Sequence, residues 1–246
     1  MIDKFEIKLG EEAIGKRIRA ILGVPEAILT NEIISSSIFK KQAENFINKN
    51  IAEFLELIDI EKINKEKYKE ERKKYGYLLS QKVLTIDEEY EMFVSFYHNI
   101  LSNVDYPNYE IGIARKIAYD RTYNYSKYTL YKNVDQELKK ISEKYKLILL
   151  TDNWPSVLEY LRKYKLNNYF DKVYVSSIYG CEKKDKVFFD YPIKEYNVKP
   201  GEALFIDDNE DNLDIAKEKG FDVLLMDRDK KISDNKYEII NDLFDL

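Results

Sequence analysis

In the second half of the chain, apolar residues come in short continuous runs, with periodic amphipathic stretches between them. "KLILLT" (146–151), "KVYVSS" (172–177), "ALFID" (203–207) and "DVLLMD" (222–227) are nearly all apolar. Runs this short and this apolar predict parallel strands buried on both faces. "NVDQELKKISEKY" precedes the first run, and "PSVLEYLRKYKL", "VFFDYPIKEYNV" and "NEDNLDIAKEKG" separate the rest; their period predicts helices. Pro155 suits a first helical turn and Gly220 a helix C-terminal cap. Strands alternating with helices predict an α/β fold with a doubly wound parallel sheet, its ligand site outside the carboxyl ends of the strands.

Residues 53–128 have a different pattern. "AEFLELIDIEKINKEKYKEERKKYGYLLS", "TIDEEYEMFVSFYHNILSNV" and "NYEIGIARKIAYDRTYNY" read as amphipathic helices, with Asp87 as the N-cap of the second. They predict a helical insert over the ligand edge of a core at 129–246. Residues 1–52 fit neither pattern. "EEAIGKRIRAILGVP" and "SIFKKQAENFINKNI" read as helices, and "EAILTNEIISSS" between them as the one buried strand ahead of the insert, centred on 27–34.

Composition narrows the classes of function. The 40 Lys and Arg are interleaved with 45 Asp and Glu, for a net charge of −5. No basic face is therefore expected to attract a nucleic acid or an anionic membrane. The single cysteine, Cys181, allows no internal disulfide, and the single histidine, His98, is too distant in sequence to suggest a Cys-His pair. No run approaches the roughly 20 apolar residues of a membrane span, and "MIDKFEIKLGEE" has no apolar core of a secretion signal. A cytoplasmic location is the expectation.

Candidate chemistry falls on the strand ends. Thr151 closes "LILLT" and places a hydroxyl at the ligand edge. Lys183, Lys184 and Lys186 in "GCEKKDKVFF" follow the next strand, and Asp207 and Asp208 close "ALFIDD". Adjacent buried carboxylates repel, and one pKa rises unless a cation compensates. A hydroxyl, an ammonium and paired carboxylates suit a phosphate site with a hard divalent cation such as Mg2+.

At these residues the chain resembles the haloacid dehalogenase (HAD) superfamily of phosphohydrolases. "LILLTDN" resembles its second motif, which gives Thr151 the phosphate-binding hydroxyl position. "GCEKKDKVFF" resembles the third, with Lys183 as the phosphate-steadying lysine, although Lys184 and Lys186 replace the prolines common there. "FIDDNEDN" resembles the fourth, making Asp208 a Mg2+ ligand with Asp207 beside it as ligand or orienter. The resemblance implies a Rossmann-like core, a helical cap at 53–128, and a Mg2+-dependent phosphatase of a small phosphorylated metabolite.

The family's first motif, Asp-x-Asp-x-Thr, is missing. It would supply the nucleophilic aspartate ahead of the cap, yet Asp3 is the only aspartate in the first 58 residues. The nearest match is "AILTNEIISSS", where Glu32 falls at the nucleophile position and Ser36 near that of the threonine. Glutamate's extra methylene displaces the attacking oxygen by about 1 Å, enough to cost on the order of 100-fold in rate. The expectation is impaired catalysis or a non-catalytic binding protein. The motif's strand would lie between those ending at Thr151 and Asp207, and leaving that slot empty would orphan two rows of backbone groups. "AILTNEII" is expected to fill it, with "KFEIKL" as second choice.

Overall fold

The computed structural model describes residues 64–125, 130–131 and 133–246. Up to Tyr123 the described regular elements are helical. Helix α1, Lys65–Tyr75, starts where the Asn64 side chain accepts the Lys67 N–H (3.1 Å). Glu66 in its first turn and Arg72, Lys73 and Lys74 in its last complement the helix dipole. Of the longer helix expected over 52–80, the described part begins at an N-cap, Asn64, and a 3-10 turn, Gly76–Ser80, follows α1.

Helix α2, Ile86–Asn103, is capped by Thr85 rather than by Asp87. Thr85 and Glu88 stand three residues apart and close a reciprocal capping box, which satisfies two backbone donors where an Asp87 cap would satisfy one. Asp87 lies in the first helical turn and accepts the Tyr123 hydroxyl. Met92, Phe93, Phe96 and Ile100 of α2 are buried, and its main neighbour is α3, Ile111–Tyr123. Ala114 and Ala118 on α3 are fully buried; their small side chains let the two helices approach closely.

The remaining residues alternate helix and strand as the apolar runs predict. The order is α4 (Val134–Ser142), β1 (Ile148–Thr151), α5 (Ser156–Lys163), β2 (Lys172–Val175), α6 (Lys186–Tyr196), β3 (Leu204–Asp207), α7 (Glu210–Glu218), β4 (Asp222–Met226) and β5 (Ile239–Ile240). β2 is shorter than expected, because Ser176–Tyr179 turns into one helical turn closed by Gly180 in the left-handed conformation. The two-residue β5 is too short to leave a pattern in the sequence. Gly220 follows α7 at φ +92, where an added Cβ would come within 3.0 Å of Pro200.

All strand pairs among the described residues are parallel. β1 pairs with β2, Leu150 opposite Tyr174, while β3 pairs with β4 and β4 with β5. Among the described residues these form two ladders, β1-β2 and β3-β4-β5, with no pairing between β1 and β3. The segments expected to fill that slot, 27–34 and "KFEIKL", lie outside the described residues. So does Glu32. Among the described residues no helix is long and apolar enough to cross a membrane.

One buried ion pair fastens the end of the chain to α4. Glu137 is 1% exposed, and Arg228 donates to both its carboxylate oxygens, at 3.0 and 2.6 Å. The Leu243 amide donates to the same carboxylate. Removing one partner strands a buried charge, so Glu137→Ala should destabilise the fold by about 3–5 kcal/mol. A drop of this size in the free energy of unfolding, measured in urea, is the expected result.

Candidate active site

The carboxyl ends of β1 and β3 carry the groups that the sequence singles out. Thr151 ends β1, opposite Val175 of β2. Beyond it the chain turns through Asp152, Asn153, Trp154 and Pro155 into α5. Asn153 extends the β1-β2 pairing past the strands. Its N–H donates to Ser176 Oγ (3.0 Å), and its carbonyl accepts the Ser177 N–H (3.2 Å). The residues after Thr151 are therefore held on the β2 side.

Asp207 ends β3 and Asn209 begins α7, its side chain accepting the Asp211 N–H. Asp207 is buried, and three donors converge on it. Lys183 Nζ donates to Oδ2 (2.6 Å), while the Asn209 N–H (2.9 Å) and Asn212 Nδ2 (3.0 Å) donate to Oδ1. The chain's own lysine thus supplies one cation to the buried carboxylate. Asp208, the next residue, is exposed.

Lys183 is held from both ends. While its ammonium reaches Asp207, its backbone N–H donates to Asp152 Oδ1 (2.8 Å). The Glu182 N–H donates to Asp185 Oδ2, and the Asp185 N–H to the Glu182 carbonyl, which closes the surrounding turn. Desolvation pushes the Asp152 carboxyl above the usual carboxylate range. The Lys183 amide and ammonium oppose that shift, and the charges of Glu182 and Asp207 add to it.

The structure thus joins Lys183 to Asp207 directly and to the residue after Thr151 through its amide. Sequence reasoning missed Asp152, Asn209 and Asn212 as partners in this network. The signal for two of them was local: Asn209 and Asn212 stand two and five residues after Asp207, where a helix N-terminus brings donors back to the strand end.

Asp207 and Asp208 offer the hard oxygen donors that suit Mg2+, an ion often held by one or two carboxylates with water and phosphate oxygens completing the shell. The pair fits such an ion as half a site. Among the described residues no three His, Cys, Asp or Glu side chains gather to hold a metal.

Known proteins are similar to this chain in part of its sequence and in its fold. A stretch of 57 residues is 46% identical to a D-ribitol-5-phosphate phosphatase of Bacteroides thetaiotaomicron, covering 23% of this chain and 28% of that protein. The matched part therefore spans under a third of that relative. Among solved structures, a 2-haloacid dehalogenase from Pseudomonas syringae pv. Tomato DC3000 is similar at 15% identity and TM-score 0.52, over 82% of this chain and 85% of that one. A HAD family enzyme from Bacteroides thetaiotaomicron is similar at 19% identity and TM-score 0.50, over 74% and 87%. These likenesses show the fold, an α/β Rossmann-like core with a helical region. The sequence model of the family described as haloacid dehalogenase-like hydrolase matches residues 99–226, which is more than half of the chain. This chain belongs to that family.

Proposed function

We propose that the chain holds the phosphoryl group of a small phosphorylated metabolite at the carboxyl ends of β1 and β3, and that turnover there is impaired. The observation that carries this reading is the buried Lys183–Asp207 pair, set beside the turn that begins at Thr151. A lysine pinned by a carboxylate presents its remaining N–H donors in a fixed direction, which suits steadying phosphate oxygens. The Thr151 hydroxyl supplies a second donor at the same edge, and residues 53–128 act as the cap that selects the substrate. Asp207 and Asp208 would hold Mg2+, which when bound neutralises charge on the phosphoryl oxygens. The phosphatase similar to part of this chain supports a phosphate monoester as the substrate class.

Impairment rests on the missing nucleophile. No Asp-x-Asp-x-Thr stretch occurs in the sequence, and Glu32 is the surrogate it offers. The second reading, a pseudophosphatase or partner-binding protein that keeps the phosphate site without chemistry, is favoured by the same absence of an Asp-x-Asp-x-Thr stretch.

Two measurements test these readings. In calorimetric titrations with inorganic phosphate in magnesium buffer, Thr151→Val and Lys183→Met should each weaken binding about tenfold or more, the loss of one charge-assisted or hydroxyl hydrogen bond. Unchanged affinity in both would sink the assignment of the site. Hydrolysis of an aryl phosphate with Mg2+ should be absent or very slow in the wild type. Brisk turnover abolished by both Glu32→Gln and Asp208→Asn would instead establish Glu32 as a nucleophile and overturn the impairment.

A further inference from the structure

The helical region reaches into the turn that follows Thr151 at two places. Glu89 of α2, 1% exposed, accepts the Ser156 N–H at Oε2 and the Ser156 hydroxyl at Oε1, both at 2.7 Å. Ser156 is the first residue of α5, so a carboxylate from another part of the chain caps this helix. Its N–H would otherwise be one of the orphan donors of a helix start, where a negative charge is favoured. One turn further along α2, the Phe93 ring meets Trp154 edge-on at 5.1 Å. The Arg121 guanidinium of α3 lies over both rings, 4.3 Å from Phe93 and 5.4 Å from Trp154, and donates to the Tyr97 hydroxyl. Trp154 Nε1 is buried without a hydrogen-bond partner among the described residues. Its ring is located by its contacts with Phe93 and Arg121.

These contacts bracket the turn. Residues 151–156 are held on one side by the β2 end, through Asn153 with Ser176 and Ser177, and on the other by α2 and α3. The cap's entry segment is tied to the same place, where the Val83 N–H donates to the Ser177 carbonyl at 3.0 Å. A turn fixed at both ends has little freedom to adjust where its hydroxyl and amide donors point. Loss of one grip changes how well they meet a phosphoryl group.

We propose that Glu89 is a positioning residue for the phosphate-holding turn: its carboxylate on Ser156, with Phe93 and Arg121 on Trp154, shapes residues 151–156, so that affinity for phosphate depends on the helical region. This rests on the proposed phosphate site. The dependence is reciprocal, because a ligand that favours the shaped turn must also favour the clamp. Trp154, the chain's single tryptophan, reports the clamp directly.

The test titrates the full chain with inorganic phosphate in magnesium buffer, followed by calorimetry and by tryptophan emission, for wild type, Glu89→Gln, Ser156→Ala and the double variant. Wild type should bind, with an emission change at the same midpoint as the heat. Glu89→Gln should weaken binding about tenfold, the size expected for a charge-assisted hydrogen bond, and Ser156→Ala less. The double variant should be no weaker than Glu89→Gln alone, since both act through one contact. Ser156→Ala keeps the Glu89 contact to the backbone amide and guards against loss of folding in Glu89→Gln. Wild-type affinity in both single variants overturns the positioning role while leaving the phosphate site standing. No heat and no emission change in the wild type overturns the phosphate site, and the positioning role with it.

Discussion

The Lys183–Asp207 ion pair is the interaction on which the candidate site depends. It links the loop after β2 to the end of β3, two parts of the core that share no ladder among the described residues. A buried carboxylate beside another aspartate carries a large desolvation cost, which the lysine and two further donors offset. The aromatic layer below reinforces the link, with Phe189 of α6 edge-on to Phe205 of β3 and near Phe221.

The site therefore has two kinds of support. The β3 side is rigid for local reasons: Asp207, Asn209 and Asn212 lie on one strand-to-helix connection and bond one another. The β1 side is held from elsewhere, by the β2 end and by the helical region through Glu89 and Trp154. A hydrophobic cluster of Val83, Met92, Phe93, Val94 and Ala118, with Trp154 packed against it, makes that second support continuous with the core of the helical region.

Much of the fold was legible because the apolar runs that form buried parallel strands have few alternatives. β1, β3 and β4 fall inside "KLILLT", "ALFID" and "DVLLMD", and the helices between them follow the amphipathic period. The misreadings were local competitions. Thr85 displaced Asp87 as a cap because Glu88 completes a box with it, and Ser176 left the strand for a helical turn. At the site, Thr151 and Asp207 were legible as polar residues ending apolar runs, and Lys183 as one of the lysines that follow the next strand. Asp152 was not, since an aspartate one residue past a strand is ordinary loop sequence until its carboxylate is seen on the Lys183 amide. Glu89 was hidden more deeply, as one acid among several in "TIDEEYEM".

The sequence by itself determined β1, β3 and β4, the hydroxyl and aspartates that close β1 and β3, and the lysine after β2, because period and apolarity act within a few residues. Only the tertiary structure decided which cation answers Asp207 and which carboxylate caps α5. Those partners lie 24 and 67 residues apart. Contacts at such separations are chosen by the packing of whole elements, and burial then makes the choice energetically binding, because a charge removed from water needs its partner in place.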